Sequence, residues 1–311
     1  MPARLLAIVL LLAAPFAAQA REPWQIGHGP FLTAADVSAH NKFPQDMADI
    51  RALLAGEKPD WAGALSLYAY GRHFKAHSVA PFAGNYNGRL DSYLPVSAKH
   101  YGSASFQNAF LFAALANTGR FARASEAERK AALDAGMTAL LINYARYELG
   151  EAQRKASATQ PNWSLQNGAP KNWSEAFAFY YGPEGKHGAF EAIAALPNGE
   201  RLNARILQAL ADGQPDLLRQ KWPQEAADEL AAALNVASIA LFRNALEAAD
   251  KADDAGLALM RARAAGFWLA AGEPILRTDR RAPMVEKALT GTPDREAIKA
   301  ALAVIAPLPG E

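Results

Sequence analysis

Apolar residues recur along most of this chain at steps of three and four and nowhere alternate for long with polar ones, so the sequence predicts helices throughout and no β-sheet. The clearest case runs from 125 to 156. Ser125-Glu126-Ala127-Glu128 forms a capping box, and Leu133, Met137, Leu140, Tyr144, Tyr147 and Glu151 then follow at steps of four, three, four, three and four. The stripe turns polar at its end. Glu148 lies beside the buried seam and needs a partner there, because an unpaired buried charge is costly; for Glu151 the pattern predicts an exposed, frayed helix end. Further helices are predicted over 44–54, 59–70, 105–116, 200–211, 222–250, 253–272 and 293–305, with Gly56, Gly71, Gly213 and Gly272 as stops. Residues 21–43 read as an irregular arm. Residues 72–102, rich in Gly, Pro, Asn and Asp, read as a long loop of the kind that is usually functional or packed on the body. The fold class is therefore all-α, built of packed antiparallel helix pairs.

One stretch is written twice. Asp60-Trp61-Ala62-Gly63-Ala64-Leu65-Ser66-Leu67-Tyr68-Ala69-Tyr70-Gly71 is echoed at Asn172-Trp173-Ser174-Glu175-Ala176-Phe177-Ala178-Phe179-Tyr180-Tyr181-Gly182. The echo predicts two pseudo-repeated lobes, 21–156 and 172–311, joined by a polar linker at 157–171 or packed as one domain; a chance likeness between Ala-rich aromatic helices is the alternative. Asn172 reads as an N-cap with Glu175 at N3 closing a capping box. The first copy carries Gly63 at that place, so the carboxylate is not required by the repeat itself. Trp61 and Trp173 read as packing residues, and Tyr68, Tyr70, Tyr180 and Tyr181 as core aromatics with partnered hydroxyls.

The first 20 residues change the picture of location. Arg4, the apolar run Leu5 to Ala14 and Ala18-Gln19-Ala20 have the layout of a cleaved secretory signal. No later apolar run reads as long enough to cross a bilayer, and the Ala- and Arg-rich composition points to a Gram-negative periplasm. The chain has no cysteine, so neither disulfides nor thiol chemistry is available. Arg4 is the one charged residue in the leader, and it leaves 31 of the 32 basic side chains to face 31 acidic ones. A net charge of zero argues against nucleic acid or an anionic membrane surface as partner.

No nucleophile elbow, phosphate-binding loop, dinucleotide fingerprint or His-Glu-x-x-His pattern is present. Histidines, carboxylates and tyrosines near the two echoed helices remain, and imidazole with hard oxygen donors suits iron. His187 and Glu191, four apart, would share a face if helical and could reach one metal; a surface His–Glu pair is the plainer reading. His73 and His77 repeat the spacing after the first copy, although Gly71 makes a helix there doubtful. Glu175, as ligand or cap, and Glu148 or Glu151 on the long helix complete the candidate set.

The phrases Leu67-Tyr68-Ala69-Tyr70-Gly71, Trp173 to Gly182 and Gly266-Phe267-Trp268-Leu269-Ala270-Ala271-Gly272-Glu273-Pro274-Ile275 resemble the algal iron-assimilation family, also described as low-iron-inducible periplasmic proteins, which has bacterial members. The core of the likeness is Glu175, Ala176, Ala178, Phe179, Tyr180 and Gly182. The chain departs from the family pattern at Gly71-Arg72-His73, where Gly-Asn-Ser is expected. The resemblance implies a secreted, helical, duplicated protein of iron uptake: capture or delivery of iron without catalysis, with a metal ion as ligand and an uptake system as partner. A helical scaffold for a protein or cell-wall partner, and a metalloenzyme using the same His and carboxylate set, are the competing functions.

Overall fold

The computed structural model describes residues 22–74, 78–84, 88–278 and 281–305. Within them lie fourteen α-helices: α1 (Phe43–Leu54), α2 (Trp61–Tyr70), α3 (Val79–Ala83), α4 (Leu90–Tyr93), α5 (Pro95–Tyr101), α6 (Phe106–Ala116), α7 (Glu126–Ala156), α8 (Ala169–Tyr181), α9 (Ala189–Ala194), α10 (Gly199–Leu218), α11 (Gln224–Lys251), α12 (Asp254–Thr278), α13 (Ala282–Ala288) and α14 (Arg295–Val304). The only strands among the described residues are β1 (Gly27–His28) and β2 (Phe31–Leu32), an antiparallel hairpin in the N-terminal arm. The fold is all-α, as the periodicity predicts. His77 and the leader fall outside the described residues.

The long helix α7 is the axis. Its capping box is in place, with Ser125 N donating to Glu128 Oε2 at 2.7 Å and Glu128 N to Ser125 Oγ at 3.3 Å. It packs most extensively on α12 and next on α8. The α7–α12 contact is close because small residues line both sides. A methyl group added at Gly266 would sit 2.6 Å from the Ala132 carbonyl oxygen and 2.7 Å from Gly136 N. Buried apolar side chains from both sides of the 157–168 connection join one cluster, so α7 and α8 form a packed pair across that connection.

Several helices run past their predicted stops. α10 continues through Gly213, where the glycine makes room for the Trp173 ring: an added Cβ would lie 2.4 Å from its Cζ2. α12 continues through Gly272 and Pro274. A proline has no N–H to give the carbonyl four residues back, and Arg146 of α7 supplies the missing donor, its Nη1 lying 2.8 Å from the Ala270 oxygen. The 72–102 region is not one loop but carries α3, α4 and α5, and α13 is a helix the periodicity does not reveal. By length and composition α11 could cross a membrane, contrary to the reading of the sequence; 67% of its most apolar window is buried inside the protein, against α10 and α12.

The two echoed helices end alike and begin differently. Gly71 (φ 68°, ψ 178°) and Gly182 (φ 72°, ψ −177°) close α2 and α8 with the same backbone turn, one that favours glycine. Tyr68 donates to Asn108 Oδ1 at 2.7 Å and Tyr180 to Asn203 Oδ1 at 2.5 Å. Asp60 caps α2 by accepting from Gly63 N. α8 instead opens four residues before Trp173, at Ala169 with Pro170 in its first turn and Gly168 as cap. Asn172 is therefore inside the helix, and the predicted capping box with Glu175 does not form. Tyr70 is no core aromatic, being 83% exposed, and Trp61 is half-buried beneath the Arg129 guanidinium, 3.6 Å from its ring centroid.

An alanine in mid-helix is ordinarily worth up to about 1 kcal/mol over glycine. At Gly266 the backbone of α7 stands in the way, and overpacking of a tight core costs about 1–3 kcal/mol. Gly266→Ala is therefore expected to destabilise the protein in urea unfolding. An increase in stability would mean that the α7–α12 contact is not close.

Candidate functional site

Where α7 and α8 lie side by side, two glutamates face each other out of water. Glu148 projects from α7 and Glu175 from α8, with residue exposures of 6% and 7%. Between them stands Asn172, one turn before Glu175 on the same face of α8. Its Nδ2 donates to Glu148 Oε2 and, at 3.1 Å, to Glu175 Oε2. The amide is held that way round by Lys155, whose Nζ donates to Asn172 Oδ1 at 2.6 Å. Lys171 Nζ is 3.7 Å from Glu175 Oε1 and also reaches the Asp36 carbonyl oxygen. On the other side His40, in a short 3-10 turn before α1, brings Nε2 to 3.3 Å from Glu175 Oε1. The imidazole is walled by Phe74 and Phe179, with ring centroids at 5.5 and 5.7 Å.

This environment separates the two carboxylates chemically. Burial raises the Glu148 carboxyl well above the usual carboxylate range, and the neighbouring Glu175 charge pushes the same way; the Asn172 hydrogen bond and Lys155 only partly oppose them. Glu148 thus holds its proton to a higher pH than an ordinary glutamate does. One turn further along α7, Glu151 is also buried, not frayed. There the opposing burial is outweighed by hydrogen bonds from Arg154, Tyr93 and Arg89, which hold its carboxyl down to about 2. The seam of α7 therefore carries a carboxyl that favours its proton followed by one that favours its charge.

The other residues singled out in the sequence lie elsewhere. His187 has φ 64° and precedes α9, so it and Glu191 do not share a helical face. Glu191, exposed, accepts from the His187 backbone N–H at 2.7 Å, as a residue closing a helix start does. His73 Nε2 pairs with Asp49 Oδ2 at 3.0 Å, while its backbone N–H and those of Arg72 and Phe74 are taken by the buried Asp46 carboxylate. Among the described residues, no three His, Asp or Glu side chains are already gathered as a metal would require. The structure unites Glu148 with Glu175 and adds Asn172, His40, Lys155 and Lys171, which the sequence reading did not include. The spacing of Lys171, Asn172 and Glu175 on one helix face is the signal that could have found them; the placement of His40 comes only from the tertiary fold.

What the site can do follows from its charge. Two carboxylates and an imidazole are donors suited to a hard or borderline cation, and a cation between Glu148 and Glu175 would take the place of the proton and of the Asn172 amide. Without a cation, the folded state holds a proton on Glu148 that the unfolded chain has lost once the pH exceeds the ordinary glutamate value of about 4.3. From that value up to the raised one, stability must fall as pH rises, with a limiting slope of about 1.4 kcal/mol per pH unit for one proton. Glu148→Gln is expected to remove this slope, and urea unfolding between pH 5 and 8 reads it. An unchanged slope in the variant would mean that Glu148 is ionised in the fold.

No curated protein and no solved structure matches the chain. A family model does, over residues 4–203, a span that includes α7, α8 and every member of the buried cluster. The chain belongs to the family described as low iron-inducible periplasmic protein.

Proposed function

We propose that the protein captures or delivers iron in the periplasm without catalysing a covalent step, and that the cation is held by Glu148 and Glu175 with His40. The observation that carries this reading is a pair of carboxylates buried against each other and balanced by a proton, in a family tied to low iron by its description. Such a pair gives an entering cation both charge and oxygen donors, and the proton it displaces makes affinity depend on pH. Asn172 and Lys155 then act as the support that keeps the empty pair from flying apart. His187 and Glu191 bond to each other at the start of α9, and His73 pairs with Asp49, so none of the three belongs to this site.

The reading of a helical scaffold is favoured by one observation, that every described carboxylate at the site already has a protein donor. Calorimetric titration separates the two. Ferrous iron, and ferric iron as a soluble chelate, are expected to bind the wild type, to bind more weakly as pH falls from 7.5 to 5.5, and to bind at least about tenfold more weakly to the Glu148→Gln, Glu175→Gln double variant, a loss of about 1.4 kcal/mol or more. The His187→Ala, Glu191→Ala double variant is expected to retain that binding. Equal affinity in the wild type and the glutamine variant would remove the pair from the site, and no binding in any protein would leave the scaffold reading standing.

A further inference from the structure

A second feature stands apart from the carboxylate site, at the junction of α12 with the turn that follows α13. A cavity of about 540 Å³ is lined there by Arg120, Arg123 and Arg261, with Glu128, Thr290 and Thr292 among its other walls. Three arginines and one glutamate line it, and a second carboxylate, Glu286, acts on Arg120 from outside the lining. Glu128 is already engaged, since its Oε2 accepts from Ser125 N and Ser125 Oγ at the start of α7.

The arginines differ in what they do for the fold. Arg120 Nη2 donates to the Leu289 carbonyl oxygen at 2.8 Å, and Arg261 Nη1 to the oxygens of Thr290 and Gly291 at 3.3 and 2.7 Å, so both tie down the end of α13. These acceptors are neutral; the carboxylates that act on the two guanidinium groups are Glu286 for Arg120 and Glu128 for Arg261, and each of those is already engaged, Glu286 with His100 and Glu128 with Ser125. Arg120 is further placed over Phe110 and Phe121, at 5.2 and 5.7 Å from the ring centroids, which fixes its plane. Burial lowers the Arg261 pKa, and the charge of Arg120 beside it acts in the same direction, which is the mark of two cations held close. Arg123 is exposed at the rim, and among the described residues it makes no hydrogen bond or ion pair.

We infer that this pocket is a binding site for a small multivalent anion, of the phosphate or polycarboxylate class, held by Arg120 and Arg261 at its floor and by Arg123 at its rim. The chemistry is that of guanidinium forks, which meet carboxylate and phosphate oxygens two at a time. The cavity is large enough for an anion the size of citrate, and Thr292 adds a hydroxyl at its wall, whereas the Thr290 hydroxyl donates to the Lys287 carbonyl oxygen. The inference is independent of the iron reading, because it uses none of the residues around Glu148.

Inorganic phosphate and citrate, each free of metal, are the probes. Calorimetry at low ionic strength is expected to show saturable binding of at least one of them, weakening as salt is added. Binding of phosphate alone would assign the pocket to small oxyanions, and binding of citrate to polycarboxylates. Arg123→Ala is expected to weaken binding by about tenfold, the loss of one charge-assisted hydrogen bond, and Arg123→Glu to abolish it, both with an unchanged melting temperature because the α13 contacts remain. Absence of binding by either anion at millimolar concentration, or the same affinity in wild type and both Arg123 variants, would overturn the assignment.

Discussion

The close approach of α12 to α7 at Gly266 is the constraint on which the rest of the structure depends. With no side chain at Gly266 the backbone of α12 comes up to Ala132 and Gly136 of α7, Gly136 in turn makes room for Leu111 of α6, and α7 is enclosed by α12 on one side and α8 on another. A helix so enclosed cannot send its polar residues to water, so each must find its partner inside. Asn143 donates to Gln107 and to the Leu269 carbonyl oxygen, both at 2.9 Å. Arg146 is half-buried, and desolvation lowers its pKa to about 10 against the opposing charge of Glu273; its hydrogen bonds run to the carbonyls of Ala270 and Leu234 and to Ser238 Oγ. The proline in α12 and the arginine in α7 therefore belong to one arrangement, in which the lost helix bond at Ala270 becomes the anchor for a half-buried cation.

The same enclosure gives the second half of α7 its chemistry. Glu148 and Glu151 are separated by one turn, yet the carboxyl of one is raised well above the usual range and that of the other is lowered. The difference lies in what faces them. Glu151 meets two arginines and a tyrosine hydroxyl, whereas Glu148 meets another carboxylate through an amide. Two carboxyl groups buried against each other stabilise little by themselves, and this is the feature on which the proposed cation site rests. The arginine pocket beside α13 is the proposed counterpart in sign, a place where three arginines line one cavity.

Much of the fold was legible in the sequence. The capping box at Ser125, the stripe of α7 and the absence of alternating runs predict an all-α protein, and the phrases around Trp173 and Trp268 point to its family. Signals tied to backbone chemistry alone were less dependable. Gly213 and Gly272 read as helix ends, because the sequence does not show the Trp173 ring that fills the space beside Gly213 or the Arg146 donor that lets α12 continue through Pro274. Glu148 is recognisable as a carboxylate in need of a partner, but its partner is on a different helix, and Asn172 has the form of a cap although the helix already begins at Ala169 with Pro170 in its first turn. His187 and Glu191 have the spacing of ligands and the local geometry of a helix start, a case where separation along the chain says little until the backbone angle at His187 is known.

The central claim is that Glu148 carries a proton which a bound cation replaces. Infrared difference spectroscopy of the metal-free protein at pH 7, with and without ferrous iron, tests it most directly, with the Glu148→Gln variant identifying the band. The expected result is a protonated-carboxyl C=O stretch in the metal-free wild type that is absent from the variant and that iron abolishes as carboxylate absorption appears. A wild-type spectrum without that band, or a band that iron leaves unchanged while it binds, would contradict the account.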